Sequence, residues 1–401
     1  MRAERPTILQ IIPELDTGGA ELSTIEIAAA IVCGGGRAIV LSEGGRLASR
    51  IAEAGGEFVP FAAATKNPAH IAWNGRAIAK IAKDEAVDLI HARSRAPAWS
   101  AFAAARRVEV PFVTTYHGAY RETNRAKALY NSVMARGDVT IANSRYTADL
   151  IKRRYQTPEE RLVVIYRGVD VDAFDPAKVS AARFAELRQQ WGVKPEQRIV
   201  LHAARLTTWK GQGDVIAAAQ RMRARFPDAV FVLAGDAQGR DGYREQLLQQ
   251  IDDAGVEDAV RLAGHVADIP AAFAAAHAAV VASVEPEAFG RAAAEAQAMG
   301  CPVVSTNIGA PPETVLAPPR VSPEARTGWL VPPHDPASLA DALGEAISLN
   351  AVNRAAMARR ARARIIAEFS QFAMQRATLA VYDRLLGSNL EQRFTATERR
   401  T

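Results

Sequence analysis

The chain has few cysteines, no long hydrophobic run and no leading export signal. Its two cysteines, Cys33 and Cys301, are too few for a disulfide framework and lack the spacing of zinc ligands. No apolar run is long enough to span a bilayer, and residues 1–6 lead directly into a strand-like segment. We therefore expect a cytoplasmic protein that is held together by apolar cores.

The glycine fingerprint of nicotinamide cofactors is also missing. After the first apolar stretch the chain reads Gly18-Gly19-Ala20-Glu21, without the G-x-G-x-x-G spacing, so a dehydrogenase is disfavoured. A pair of glycines at this point still lets the backbone approach a ligand closely. A plain tight turn explains the local sequence equally well.

The length of 401 residues is long for one core and suits two domains. Short apolar strands alternate with helical segments, which predicts α/β domains with doubly wound parallel sheets. We place a first domain at residues 1–175 and a second at residues 176–370. Residues 371–401 are expected to form a helix that crosses back to the first domain and a frayed polar tail from Ser388 onwards.

The stretch from Val280 to Val304 contains the densest functional pattern. A short apolar strand ends near Ser283, an acidic loop follows, and an alanine-rich helix runs between two glycines. Parallel α/β sheets bind ligands at such strand-to-helix turns. Glu287 precedes the helix and Glu295 lies more than one turn into it, and ionised carboxylates accept hydrogen bonds from ligand hydroxyls.

The backbone between these two glutamates suits an anion. Free N–H groups around Phe289 and Gly290 would contact a phosphate or a sugar oxygen, and Gly290 has no side chain to keep a ligand away. An ordinary helix with a capping acid explains either glutamate taken alone. The combination of Glu-Ala-Phe-Gly with a second glutamate eight positions on favours a ligand site.

The run from Glu287 through Ala288, Phe289 and Gly290 to Glu295 resembles the E-x7-E signature of retaining glycosyltransferase family 4. This resemblance implies the GT-B fold, in which two Rossmann-like domains face each other across a cleft. It also implies that Glu295 holds the ribose of a nucleotide-diphosphate sugar. Glu287 would then contact the hydroxyls of the donor sugar.

Two cations lie in one loop after a strand of the second half. Arg205 and Lys210 would bind a diphosphate and neutralise it as a leaving group, although two ordinary surface cations are the alternative. Their spacing is similar to the R-L-x-x-x-K-G pattern of the same family. In that family the loop after the strand at 260–264 cradles the nucleobase with its backbone, which makes Val266 a candidate.

His117 follows a strand directly and precedes a glycine. Members of the resembled family have a histidine here near the donor sugar, so we expect His117 to be a catalytic residue. Gly18 and Gly19 lie where the family has glycines at the cleft, which adds them to the expected nucleotide-sugar site. His91 has the same placement at a strand end, and a structural role for it is equally open.

Two features depart from simple motif transfer. Asp170-Val171-Asp172 looks like a D-x-D metal pair, but that motif belongs to a different glycosyltransferase fold. The surrounding segment is instead similar to the family's crossing between domains, so no metal is expected. Arg167 stands where the family commonly has asparagine, and no role is carried over to it.

Basic residues are concentrated in the first half, whereas the net charge of the chain is only +5. Between Arg93 and Arg154 the chain holds four acids, Glu109, Glu122, Asp138 and Asp149. The cations of this stretch are Arg93, Arg95, Arg106, Arg107, Arg121, Arg125, Lys127, Arg136, Arg145, Lys152, Arg153 and Arg154. A solvated face is the usual explanation, and our hypothesis is attraction to an anionic inner-membrane surface or an anionic acceptor. Nucleic acid is disfavoured because no recognition motif accompanies the charge.

These observations predict a retaining hexosyltransferase that needs no metal or other cofactor. The donor would be a UDP- or GDP-sugar and the acceptor a glycan or a lipid-linked glycan, as in envelope polysaccharide or lipopolysaccharide core synthesis. Catalysis would depend on His117, Arg205, Lys210 and Glu287. The alternatives are a nucleotide-sugar epimerase of the same fold, which would convert donor without acceptor, and a non-catalytic sugar-nucleotide binder.

Overall fold

The computed structural model describes residues 5–16, 18–118, 120 and 122–398. The chain divides into two compact units, one formed by Met1–Gly168 with Gln371–Thr401 and the other by Val169–Ser370. The first passage between units thus follows Gly168, where the sequence suggested residue 175.

The first part of the chain builds a seven-stranded parallel sheet in the order β3-β2-β1-β4-β5-β6-β7. Its strands are β1 (Thr7–Ile11), β2 (Arg37–Ser42), β3 (Glu57–Pro60), β4 (Leu89–Ala92), β5 (Phe112–Tyr116), β6 (Val139–Ala142) and β7 (Leu162–Val164). Its helices are α1 (Gly19–Cys33), α2 (Ser49–Glu53), α3 (Pro68–Asp84), α4 (Arg95–Val108), α5 (Arg125–Ser132) and α6 (Arg145–Tyr155).

The second unit contains a six-stranded parallel sheet in the order β10-β9-β8-β11-β12-β13. Its strands are β8 (Arg198–Ala203), β9 (Ala229–Ala234), β10 (Val260–Gly264), β11 (Ala278–Val281), β12 (Val303–Thr306) and β13 (Gly328–Val331). Its helices are α7 (Ala181–Gln190), α8 (Gln212–Met222), α9 (Asp241–Asp253), α10 (Ile269–Ala275), α11 (Arg291–Ala298), α12 (Pro311–Thr314), α13 (Pro336–Ile347) and α14 (Ala351–Glu368).

Successive residues of a strand point to opposite sides of the sheet. Because the strands are apolar on both sides, helices cover both faces of each sheet. In β1, Ile8 packs into one apolar core and Leu9 into another. In β8, Val200 and Leu201 separate in the same way. The predicted class of two doubly wound α/β domains is confirmed.

The end of the chain returns to the first unit as α15 (Gln371–Leu386) and α16 (Leu390–Glu398). The prediction of a frayed tail is wrong for Leu390–Glu398, which forms α16. Leu390 and Phe394 of this helix are buried in a core of the first unit. The carboxylate of Asp383 also accepts the backbone N–H of Leu390 at 2.8 Å. The remaining tail, residues 399–401, lies outside the described residues.

Candidate functional site

In the second unit the two predicted loops follow neighbouring strands, β8 and β11. The strand order reverses between these strands, and ligands of doubly wound sheets bind at such a switch point. The Nζ atom of Lys210 lies 2.6 Å from Oε1 of Glu287. The two side chains are only 18% and 9% exposed, so this ion pair is largely shielded from solvent.

A close backbone contact brings the two loops together. Gly211 has a positive φ of 73°, and a Cβ atom added there would lie 1.9 Å from the carbonyl oxygen of Ala282. Beside this contact, the backbone N–H of Val284 donates to the carbonyl of Trp209 at 2.8 Å. Only glycine fits at this position. The close approach therefore holds Lys210 beside the acidic loop.

Ser283 also hydrogen-bonds to the carboxylate of Glu287. Its buried hydroxyl donates to Oε1 of Glu287, the oxygen that also contacts Lys210. The carbonyl of Ser283 in turn accepts the hydroxyl of Thr306 at 2.7 Å. Because both donors use Oε1, Oε2 is the atom left for donors from a ligand.

The backbone of Glu287 is fixed by the loop after β12. Its carbonyl accepts the N–H of Ala310 at 2.9 Å, and Gly309 lies directly against it. A Cβ atom on Gly309 would come within 2.5 Å of the Glu287 carbonyl oxygen, and its φ is 76°. Three strand-end loops thus position one carboxylate.

Arg205 and Glu295 have other partners. The exposed Arg205 guanidinium contacts the Gln238 side chain at 3.3 Å, in the loop after β9. Glu295 forms an ion pair of 2.9 Å with Arg291, one turn earlier on α11. Burial raises the pKa of the Glu295 carboxyl, and the charge of Arg291 acts against this rise. The structure therefore joins Lys210 to Glu287 but gives the other two predicted residues separate contacts.

The backbone between the two glutamates turns into a helix at Gly290. Gly290 precedes α11 with a φ of 84°, and no side chain caps this helix. Phe289 is buried and packs 6.1 Å from the ring of Phe369, so its side chain belongs to the core. The ligand contacts predicted for the main chain at Ala288, Phe289 and Gly290 stay a prediction.

Val266 follows β10, and its side chain is buried in an apolar core. It lines a cavity of about 510 Å³ together with Leu187 and Trp191 near α7. A separate cavity of about 470 Å³ at the strand ends is lined by Gly235, Gln238 and neighbouring residues. Val266 does not line this second cavity, so its role in the nucleotide-sugar site stays a prediction.

Several buried polar atoms near the cation loop have no hydrogen-bond partner among the described residues. They are both ring nitrogens of His202, the hydroxyl of Thr207 and Oδ1 of Asp236. Burial and then the charge of Lys210 lower the pKa of His202 to about 3, so this imidazole is neutral. Buried polar atoms are normally satisfied, and the concentration of these atoms at the end of β8 and in the loops after β8 and β9 is typical of a binding site.

In the first unit His117 and Arg167 meet after β5 and β7. The Nη2 atom of Arg167 lies 3.0 Å from Nδ1 of His117, and the side chain of Asn143 donates to the His117 carbonyl at 3.3 Å. Burial lowers the pKa of His117 well below 6.5, and the charges of Arg167 and Arg93 lower it further. His117 is therefore a neutral, positioned imidazole.

Gly18 lies in the same unit at the N-terminus of α1, which no side chain caps. Gly19 is the first residue of that helix. The nearby carboxyl of Glu21 is half-buried, and this burial raises its pKa while Arg167 opposes the rise.

His91 is satisfied within the first unit. Its Nδ1 atom lies 2.6 Å from the hydroxyl of Tyr382, and its Nε2 atom lies 2.8 Å from the hydroxyl of Thr115. Because both ring nitrogens have protein partners, the structural explanation of His91 is favoured.

The basic cluster of the first half is smaller on the surface than its sequence suggested. Arg93 is 3% exposed and donates to Ser23 at 2.7 Å, so its place in a surface cluster is wrong. It follows the buried strand β4 and lies beneath α1. Arg106 pairs with Asp138 at 2.8 Å. Arg121 lies outside the described residues, and the exposed cations include Arg107, Arg125, Arg136 and Arg153.

Asp170 and Asp172, the two aspartates of the segment that looks like a D-x-D motif, have partners within the protein. Asp170 accepts the backbone N–H groups of Asp172 and Ala173, and Asp172 pairs with Lys178. Across residues 5–16, 18–118, 120 and 122–398, no group of three or more histidine, cysteine or carboxylate side chains could hold a metal ion. Within the same ranges no helix has the length and apolar character needed to cross a bilayer.

Comparisons with known proteins give the class of the molecule. Residues 17–173 match the model of Glycosyltransferase Family 4, and residues 183–364 match that of Glycosyl transferases group 1. A crystal structure of a glycosyltransferase from Rickettsia africae is 32% identical with a TM-score of 0.88, covering 96% of this chain and 100% of the other. The fold is that of a GT-B glycosyltransferase.

Relatives with more specific names are also similar to this chain. A D-inositol 3-phosphate glycosyltransferase of Xylanimonas cellulosilytica is 32% identical over 69% of this chain and 67% of its own length. Two other relatives of that name are covered over 53% and 59%. HepE of Anabaena, solved in complex with UDP-glucose, is 26% identical with a TM-score of 0.79, over 94% of this chain and 100% of the other. The chain belongs to the group 1 glycosyltransferases of family 4.

Sequence reasoning missed Ser283, His202 and Arg167 as parts of these sites. Ser283 had a readable signal, because it is a polar residue at the end of a buried strand and directly before the acidic loop. His202 lies inside a strand, and Arg167 is separated by fifty positions from its partner. Their roles depend on contacts that spacing alone does not reveal.

Proposed function

We propose that this protein is a retaining hexosyltransferase that uses a UDP- or GDP-sugar. The observation that carries the proposal is the shielded ion pair of Lys210 and Glu287 where the strand order of the second sheet reverses. Nucleotide-binding sites of doubly wound folds lie at this position. The complex of HepE with UDP-glucose supports UDP-glucose as the first donor to test.

In this proposal Lys210 and Arg205 bind the diphosphate. Lys210 lies in the shielded pair, and the exposed Arg205 supplies a second cation. Both charges stabilise the diphosphate as it departs, where a preorganised cation contributes most. Glu287 accepts sugar hydroxyls through Oε2, and Glu295 accepts ribose hydroxyls in competition with Arg291.

The transfer step balances without a dedicated base. The bond between the anomeric carbon and the diphosphate oxygen breaks, and the acceptor oxygen forms its bond on the same face. The acceptor proton passes to the departing phosphate oxygen, and a nucleoside diphosphate is released. His117 interacts with the sugar nucleotide, and its role in the reaction is part of the proposal.

The acceptor is proposed to be anionic or lipid-linked, within envelope polysaccharide or lipopolysaccharide core synthesis. The exposed cations of the first unit support an anionic acceptor. The name of the curated relatives adds D-inositol 3-phosphate as a soluble acceptor to test.

Donor screening tests the function directly. We expect UDP-glucose or GDP-mannose to raise the melting temperature of the protein, and acceptor-dependent release of UDP or GDP to follow. The Lys210→Ala variant should lose the thermal shift. The control variant Lys194→Ala, at an exposed lysine, should keep it. Release of a converted sugar nucleotide without acceptor would establish the epimerase instead. Binding without any transfer or conversion would establish the non-catalytic binder.

We also propose that the protein is peripheral on the cytoplasmic face of the inner membrane. The helix α5 combines exposed Arg125 with Leu129, whose exposure is 60%, and Trp73 on α3 is 66% exposed. Cations beside exposed apolar side chains favour an anionic lipid surface. Co-sedimentation should increase when phosphatidylglycerol is added to phosphatidylcholine vesicles, and Arg125→Glu should weaken it. Equal binding to both vesicles contradicts the proposal.

A further inference from the structure

The contact between Arg167 and His117 fixes where the proton of the imidazole resides. A guanidinium has N–H donors and no acceptor, whereas each nitrogen of a neutral imidazole is either a donor or an acceptor. Nη2 of Arg167 lies 3.0 Å from Nδ1 of His117, so Nδ1 accepts this hydrogen bond. In a neutral ring the proton must then be on Nε2.

The second observation concerns Nε2 itself. This atom is buried and has no hydrogen-bond partner among the described residues. His91 lies in the neighbouring strand β4 and differs from His117, because both of its ring nitrogens contact protein hydroxyls. A buried N–H donor without a protein partner normally receives one from a bound molecule.

The charges around His117 keep it neutral. Arg167 and Arg93 oppose an imidazolium, and His91 acts in the same direction. Tyr120 contacts the backbone of His117, and the nearby carboxyl of Glu21 interacts with Arg167. The groups that act on the ring are therefore cationic or neutral.

We propose that Arg167 is a positioning residue that holds His117 as the neutral tautomer with its proton on Nε2, so that His117 donates a hydrogen bond to an oxygen of the bound sugar nucleotide. This inference rests on the proposed function. It excludes His117 as a general base, because the lone pair of Nδ1 is engaged by Arg167 and Nε2 carries the proton. It also gives Arg167 a specific role, because arginine can only donate to Nδ1. An asparagine amide can donate or accept and would therefore not fix the tautomer.

The tautomer is tested first without any substrate. Long-range ¹H–¹⁵N NMR on protein labelled at histidine, with His117→Gln to assign the signal, should show Nε2 protonated and Nδ1 unprotonated at pH 7. Arg167→Lys keeps a donor-only side chain and should preserve this state. Arg167→Asn should raise the pKa of His117 and mix the tautomers, whereas the exposed Arg153→Asn should change neither. A proton on Nδ1 in the unmodified protein overturns the inference.

The donor role is tested by two substitutions at His117. Glutamine retains an N–H donor but is no base, so His117→Gln should keep kcat/KM within about tenfold, whereas His117→Ala should lose about 100-fold. Equal losses in variants of unchanged melting temperature overturn the donor role. An enzyme that accepts no sugar nucleotide at all would refute the proposed function while the NMR result still stands.

Discussion

The two units place charge differently at the ends of their sheets. In the second unit Lys210 is paired with Glu287, and both are shielded. In the first unit the buried Arg93 and the nearby Arg167 lie beside His91 and His117, and both imidazoles are held neutral. One unit thus keeps opposite charges in contact, and the other keeps cations beside neutral rings.

This difference separates two kinds of work in a transferase. A paired lysine can exchange part of its carboxylate contact for phosphate oxygens. A neutral imidazole offers a directional hydrogen bond without adding charge. Under the proposed function, the paired charge of the second unit serves the diphosphate of the donor, and the neutral imidazole of the first unit donates to an oxygen.

The largest expected effect breaks the paired charge. Lys210→Ala should lower kcat/KM on the order of 100-fold or more, because it removes a cation aimed at the leaving group and leaves Glu287 without its partner. Steady-state kinetics with the identified donor measures the loss. Lys194→Ala, an exposed lysine of the same unit, should stay within twofold of the unmodified enzyme. Unchanged turnover of Lys210→Ala would remove this residue from the site.

A smaller effect is expected when the carboxylate loses its support. Ser283→Ala removes a hydrogen bond to a charged group, which contributes about 1.5–3 kcal/mol, so kcat/KM should fall about tenfold or more. Ser283→Thr keeps the hydroxyl and should recover most of the activity. If alanine and threonine variants are equally active, the hydroxyl does not position Glu287.

The smallest effect concerns stability against pH. The folded pKa values of His91, His117 and His202 all lie below the ordinary 6.5, so the unfolded chain binds these protons first as the pH falls. The stabilisation by each neutral histidine is complete above pH 6.5 and is lost on acidification, by about 1.4 kcal/mol per pH unit.

Replacement of one such histidine should therefore flatten the pH dependence. The unfolding free energy of His202→Met, from urea titrations at pH 7 and pH 5.5, should decrease less on acidification than that of the unmodified protein. His265→Met replaces an exposed histidine of the same unit and should leave the slope unchanged. Parallel slopes for all three proteins would show that His202 does not titrate as its burial implies.

The contact between Lys210 and Glu287 could be expected from sequence although 77 positions separate them, because each residue lies in a recognisable motif after an apolar strand. Lys210 and Glu287 each follow an apolar strand, and the parallel topology brings the ends of such strands to one edge. The first-unit contacts join distant positions, such as His117 with Arg167 and His91 with Tyr382. No short-range periodicity reports these pairs.

The sequence of the C-terminal tail does contain a helical pattern. Leu390 and Phe394 are four positions apart and share one face of a helix, as an amphipathic segment requires. The charged residues between and after them suggested fraying. The buried partners in the first unit, which the sequence does not identify, decide the outcome in favour of the helix.

The return of α15 and α16 to the first unit has a consequence for biosynthesis. The second unit is one continuous stretch, Val169–Ser370, so it is complete in the nascent chain before the first unit receives Tyr382, Leu390 and Phe394. The part translated first is therefore the part that finishes folding last. A chain truncated after residue 370 and released from the ribosome should protect the second unit from protease while its first unit is still cleaved.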